Sequence, residues 1–254
     1  MDNGLILRRL YSRIVKKSLT HRDELLPGGV IAEIASMLNH YDPVGEALRD
    51  HCDGAIVRTN DICRLFINGK LSSFLGDPSE YEFNPDGSLE CLLWHDGLGR
   101  RHRTDGPAMV RFMNSRILSM SWYVDGALQS TGDQPAVITY GLEEEVIYKA
   151  WFNDGVPHRT GDLPAKIYYV SNGTQVHAES YYIDGVIHRD GDKPATIIRS
   201  RIRREVVVHE AWIIRGEVHR ENLSYPSAIT YTEDGLVCKA SWYLFGELFA
   251  VEQF

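Results

Sequence analysis

One period governs most of this sequence. Glycines that close an aromatic-rich stretch recur at Gly69, Gly97, Gly126, Gly155, Gly185, Gly216 and Gly246, 28 to 31 residues apart. Three to four residues before them lie Leu65-Phe66, Leu93-Trp94, Trp122-Tyr123, Trp151-Phe152, Tyr181-Tyr182, Trp212-Ile213 and Trp242-Tyr243. A proline follows each of the first six glycines by nine or ten residues: Pro78, Pro107, Pro135, Pro164, Pro194 and Pro226. Three features held in one register over six copies define a repeat array, in which a unit buries its apolar residues only by stacking on its neighbours.

Each copy reads as β structure. "VDG", "NDG" and "IDG" at 124–126, 153–155 and 183–185 set Asp-Gly between β-rich flanks, the signature of a tight hairpin whose turn needs positive φ. The proline then ends strand pairing, since it has no N–H to give. After it, "PAVITY", "PAKIYY", "PATIIR" and "PSAITY" alternate as half-buried strands do. A second turn ("PDG" at 85–87, "SNG" at 171–173, "EDG" at 233–235) reverses the chain into a return strand that ends on the next aromatic pair. The expected fold is mainly β: an extended, twisted antiparallel sheet of ~30-residue hairpin repeats, two strands per unit, preceded by a small α-helical segment. At ~4.8 Å between strands, each unit advances the sheet by roughly 10 Å. The final copy, "WYLFGELFAVEQF", lacks His-Arg and the proline and reads as a cap.

The polar residues of the motif invite chemical readings. His102-Arg103, His158-Arg159, His188-Arg189 and His219-Arg220 fill one slot, beside Trp122, Trp151, Tyr181, Trp212 and Trp242 and the turn glycines Gly126, Gly155 and Gly185. Equivalent histidines about 10 Å apart cannot share a Zn²⁺ that each must approach to ~2.1 Å, so no metal and no cofactor is expected. The ring and guanidinium instead sit where Asp105, Asp162 or Asp192, or an orphan backbone carbonyl, can accept their bonds. "HRD" at 188–190 resembles a kinase catalytic loop, but that loop needs Asn five residues after the aspartate and Ala195 stands there. Sibling copies carry Thr104, Thr160 or Glu221 in place of Asp190. The acids of "LEEEV" at 142–146 read as a solvated face. No catalytic residue is assigned, and the middle-copy Trp and Tyr residues are taken as core.

The first sixty residues change period. Val30, Ile31, Ile34, Met37 and Leu38 share one helical face, and Asp42 with Pro43 opens a second helix. Residues 1–17 form a basic amphipathic helix, suited either to weak contact with an anionic surface or to docking on the sheet edge. Residues 1–24 carry +3, leaving −11 on the rest of a chain of formal charge −8. That balance argues against nucleic-acid binding, which needs a basic surface. "LILRRLYSRIV" is too short and basic for a signal sequence or a transmembrane segment, and Cys52, Cys63, Cys91 and Cys238 show no metal or disulfide spacing. The expected organisation is a helical segment over 1–60 and a repeat domain over 61–254, located in a virion or host cytoplasm and not secreted.

"WFNDGVPHRTGDLPAKIYY" and "YYIDGVIHRDGDKPATII" resemble the W-Y-x-D-G-x-x-H-R-x-x-G-x-P-A repeats, akin to MORN-type repeats, that abound in large DNA viruses of amoebae. The resemblance covers residues 65–249. The stretch from Leu26 to Leu48 looks like the first helix of an F-box, with Leu26, Pro27, Val30, Ile31, Ile34 and Leu38 at its apolar positions; its second half departs from that pattern. Together they imply a non-catalytic interaction scaffold. One reading is a minor capsid-associated or cement protein, with other virion proteins as partners. The alternative is a substrate adaptor that recruits a ubiquitin ligase through a Skp1-like adaptor.

Overall fold

The computed structural model describes residues 54–58, 62–67, 70–73, 76–170, 173–203 and 205–254. The F-box-like and basic helices expected at the N-terminus lie outside them, as do Leu26, Pro27, Val30, Ile31, Ile34 and Leu38. β structure already begins at Gly54, inside the stretch expected to be helical. The chain divides into two compact units, residues Met1–Ala127 and Leu128–Phe254.

In the first unit the strands are β1 (Gly54–Arg58), β2 (Ile62–Ile67), β3 (Lys70–Leu71), β4 (Glu80–Phe83), β5 (Leu89–Leu93), β6 (Met109–Met113), β7 (Arg116–Ser121) and β8 (Tyr123–Val124). The sheet runs β1-β2-β4-β5-β6-β7, antiparallel throughout, with β3 also on β2. Its register lines up Tyr81, Leu92, Val110 and Met120 across four strands, all buried. Cys91 and Leu93, on the opposite face of β5, are buried too, so this strand is covered on both sides. Desolvation pushes the Cys91 thiol up to about 12, which leaves it chemically quiet.

The chain enters the second unit through β9 (Ala127–Leu128) and repeats one pattern. Long strands β10 (Val137–Tyr140) and β11 (Val146–Ala150) are followed by the short β12 (Phe152–Asn153) and β13 (Val156–Pro157). Next come β14 (Lys166–Tyr169), β15 (Val176–Ser180), β16 (Tyr182–Ile183) and β17 (Val186–Ile187). The third round is β18 (Thr196–Arg199), β19 (Val207–Ala211), β20 (Ile213–Ile214) and β21 (Glu217–Val218). The unit closes with β22 (Ala228–Tyr231), β23 (Val237–Leu244) and β24 (Glu247–Gln253). The main sheet is β10-β11-β14-β15-β18-β19-β22-β23-β24, again antiparallel.

The expectation of two strands per unit needs correcting. β12–β13, β16–β17 and β20–β21 are separate two-stranded ladders that leave the main sheet. The aromatic residue forces the departure. Trp151 donates its N–H to Ala165 O and accepts at its C=O from His158 N, and Tyr181 and Trp212 repeat both bonds. Its backbone is therefore spent on its own loop, and the chain cannot continue the ladder. The Asp-Gly turns then fold as their sequence demands: Asp154 and Asp184 at φ 48°, Gly155 at 80° and Gly185 at 83°. The small hairpins bond to one another, Gly185 N to Pro157 O and Gly216 N to Ile187 O.

The residue after each proline is the tightest position in a copy. Ser79, Ala108, Ala136, Ala165, Ala195 and Ser227 are at most 1% exposed, which leaves no volume for a larger side chain. Each donates its N–H to a return strand, as Ala165 does to Ser180 O and Ala195 to Ala211 O. A register shift before the second turn recurs at Thr139/Tyr140, Tyr168/Tyr169, Ile198/Arg199 and Thr230/Tyr231, so the bulge belongs to the repeat.

Two glycines separate backbone strain from packing. Gly191 sits at φ 73° with open space where a Cβ would stand, whereas at Gly185, φ 83°, a Cβ would lie 3.2 Å from Val156 Cβ. Gly191→Ala is expected to cost about 1 kcal/mol, the penalty of a left-handed alanine alone. Gly185→Ala adds the displacement of Val156 and is expected to cost roughly twice that. Urea denaturation of both variants checks the ordering.

Candidate functional site: the joints between copies

The sequence-selected residues assemble into a joint that spans consecutive copies. Its centre is arginine stacked on an aromatic face. Arg103 lies 4.2 Å from the Trp94 ring centroid, Arg159 3.6 Å from Trp151, Arg189 3.7 Å from Tyr181 and Arg220 4.0 Å from Trp212. Each also donates from Nη1 to the carbonyl of its own copy's proline: Pro107, Pro164, Pro194 and Pro226, at 3.1–3.4 Å. The proline thus supplies an acceptor as well as ending a strand. The remaining guanidinium nitrogens reach a carboxylate. In the second unit it belongs to the preceding copy: Asp133 for Arg159, Asp162 for Arg189 and Asp192 for Arg220, at 2.5–2.7 Å. Arg103 instead bonds Asp105 of its own copy at 2.9 Å.

These arginine side chains are only 8–13% exposed, so the charge must be fully partnered to sit there. The stacking contributes about 1–2 kcal/mol, the carbonyl bond about 1 and the exposed carboxylate less than 1. A planar guanidinium satisfies all three partners at once, which an ammonium cannot.

The histidines do a different job. His102 Nδ1 accepts from Asp125 N at 3.1 Å, His158 Nδ1 from Asp184 N at 3.1 Å and His188 Nδ1 from Arg215 N at 3.3 Å. In each case the donor is the first residue of the next copy's hairpin turn. Acceptance at Nδ1 places the proton on Nε2, and His188 Nε2 accordingly donates to Asp190 Oδ1 at 3.0 Å. The aspartate of "HRD" is therefore a partner of its own histidine. His219, nearly buried, stacks on Phe245 with ring centroids 4.5 Å apart.

Sequence reading missed what replaces His-Arg in the Trp122 copy. Gln129 and Ser130 stand in that slot, and Gln129 Oε1 accepts from Asp154 N at 2.8 Å, doing what histidine does elsewhere. Ser130 Oγ accepts from Phe152 N, as Ser73 Oγ does from His95 N. Their offset from the aromatic, seven and eight residues, was the available signal. Next to these shorter side chains a groove of about 510 Å³ opens, lined by Asp133, Trp151, His158 and Arg159 among others.

The aromatics expected as core are core: Trp122, Trp151, Tyr181 and Trp212 are buried, while Trp242 of the last copy is half-buried. The Trp151 indole donates to Asp133 O at 3.1 Å and Trp94 to Gly76 O at 2.9 Å. Pro107, Pro135 and Pro164 are buried, Pro194 and Pro226 half-buried. Potential metal ligands converge once among the described residues, where Asp96, His102 and Asp125 offer atoms within 4.8 Å of one another. Arg100 already fills that space, bonding Asp96 and Asp125 at 2.7 Å each.

Chemically these joints define a class: an antiparallel β-repeat protein whose recurring polar residues lock one copy to the next. No family model matches the chain, and no curated protein does. Among solved structures it is similar to a TarM mutant of S. aureus, crystallised with fondaparinux, alpha-GlcNAc-glycerol and UDP, at 9% identity and a TM-score of 0.27 over 74% of this chain. This chain spans 32% of that one, and a likeness so slight bears on neither fold nor function.

Exchange of the histidine tests the joint. His158→Gln is expected to stay within about 0.5 kcal/mol of the native chain, because Gln129 shows the amide serving as acceptor. His158→Leu leaves Asp184 N–H without its partner and is expected to cost about 1 kcal/mol. Chemical denaturation of both variants decides.

Acid should loosen the same joints. Bonds from Arg189, then Lys193, hold the Asp162 carboxyl down at about 2, and Arg220 lowers Asp192. A depressed carboxylate contributes its stability in full above its unfolded value near 4 and loses it as pH falls through the folded value. Asp162→Asn is therefore expected to lower the melting temperature by a few degrees at pH 7, the equivalent of about 1 kcal/mol or less. Melts of variant and native chain should converge near pH 2.

Proposed function

We propose that this chain is a non-catalytic protein-interaction scaffold and, by the resemblance of its repeats to those of large DNA viruses of amoebae, a minor structural protein of a virus particle, bound to capsid or other virion proteins. One observation carries the scaffold reading. In the second unit the register runs Tyr148, Tyr168, Ala178, Ile198, His209, Thr230 across five strand pairings, and directly opposed residues share a face. All are half-exposed or exposed, Tyr168 at 43%, while the buried Trp151, Tyr181 and Trp212 fall on the other. The motif's charged groups are spent on the joints, and what remains is a row that is aromatic and apolar from Tyr148 to Ile198, with the polar His209 and Thr230 at its end and Lys166, Ser180 and Thr196 beside it, the composition of a protein-binding surface.

Mass spectrometry of purified particles tests the viral role: recovery in fixed ratio to the major capsid protein is expected, and absence overturns it. For the surface itself, Tyr168→Glu is expected to leave the fold intact yet abolish co-purification with particle proteins.

The adaptor reading rests on the F-box-like apolar spacing of Leu26 to Leu38. It requires co-purification with a Skp1-like adaptor that Ile34→Asp abolishes. Among the described residues no helix is long and apolar enough to cross a membrane, and the charge of −8 favours protein partners over nucleic acid.

A further inference from the structure

The last copy ends differently from the rest. After Gly246 there is no His-Arg, no Gly-Asp and no proline, and the arm that elsewhere folds into a small hairpin stays in the main sheet as β24. β24 is seven residues long, exposed throughout, and last in the strand order of the described sheet. Leu248 is 53% exposed, Phe249 55% and Val251 48%, with Phe254 beyond it at 75%. This edge is only lightly protected, by Glu247, Glu252 and a bulge at Phe249; it carries no proline and no lysine.

The direction of its backbone groups follows from the pairing. Phe254 N donates to Cys238 O at 3.0 Å, and the register opposes Ala240 to Glu252 and Trp242 to Ala250. Residues 250, 252 and 254 therefore bond inward to β23. By the alternation of antiparallel ladders, Val251 and Gln253 point their N–H and C=O groups outward. Only another extended strand satisfies such a row.

We propose that β24 pairs with β24 of a second copy of this chain, antiparallel, about a two-fold axis through Val251. The charge pattern selects both occupant and register. Pairing Val251 with Gln253 would set Glu252 against its own copy, a like-charge pair at close range. Moving the axis by one residue, to Val251, places Val251 against Val251 and Glu252 against Ala250, and brings Leu248 towards Phe254. No like charges then oppose each other, the apolar residues meet, and the ladder already running from β19 to β24 continues across the axis. A two-fold interface of this kind closes on itself, so it ends in a dimer rather than a filament. The pairing is independent of whether the chain belongs to a virus particle.

Sedimentation velocity of the full chain tests it. Native protein is expected to show a species of twice the 28.8 kDa chain mass that grows with concentration. Val251→Pro removes an outward N–H and no bond to β23, so the expected result is a folded monomer with an unchanged circular dichroism spectrum. Phe249→Lys should give the same loss by adding charge to the edge, which guards against misfolding of the proline variant. In a Cys238→Ser background, Val251→Cys should form an intermolecular disulfide on mild oxidation, since directly opposed Cα atoms about 5.5 Å apart lie within disulfide reach. A native chain that stays monomeric overturns the proposal. So does a dimer that survives both edge substitutions, or a Val251→Cys chain that fails to cross-link.

Discussion

The arginine stacked on an aromatic ring is the contact on which the second unit's architecture depends. The main sheet there carries half-exposed side chains on both faces, so it has little interior of its own. Its burial is concentrated where Trp151, Tyr181 and Trp212 sit beneath Arg159, Arg189 and Arg220. A guanidinium is one of few groups that can cover an indole, satisfy a carbonyl beside it and still present charge to an acid in the neighbouring copy. Removing the ring exposes the arginine's stem; removing the arginine uncovers the ring. The two are a single packing element contributed by residues eight apart.

The histidine joint adds direction. The proline carbonyl and the ring lie within one copy, whereas the imidazole acceptor and the aspartate bind a copy to its successor or predecessor. Each copy in the second unit is therefore tied forward through backbone N–H groups and backward through carboxylates. The small residue after the proline lets this happen at close range, because its backbone is shared between two strands with no space to spare.

Much of this was legible from spacing. The Asp-Gly turns, the strands after each proline and the buried middle-copy aromatics follow from local rules about φ, missing N–H groups and alternation. Less visible was that the aromatic residue ends the main strand, since "WFND" continues the β pattern of "VIYKA" without a breaker; only the hydrogen bonds of Trp151 to Ala165 and His158 divide them. Nor could a motif match find Gln129, because an amide oxygen replaces an imidazole nitrogen by acceptor geometry rather than by residue type. The metal-like convergence of Asp96, His102 and Asp125 was missed for a related reason: it joins non-equivalent positions of adjacent copies, while the spacing argument compared only equivalent histidines.

The second turns of the repeat have a different character from the joints. Between β10 and β11 the chain takes five residues, between β14 and β15 six, between β18 and β19 seven, and between β22 and β23 five. The bulge before each turn recurs regardless of that length. Their sequences, "GLEEE", "VSNGTQ", "SRIRREV" and "TEDGL", share almost nothing, and their charge runs from strongly acidic to strongly basic. Such a chain keeps its constant grammar on one margin and its vocabulary on the other. Each turn can drift in length and sign without disturbing a clamp, but neighbouring turns answer to one another: Ser200 of the third donates to Glu233 of the fourth, and Arg203 pairs with Asp234, so this margin varies as a connected surface on an invariant frame.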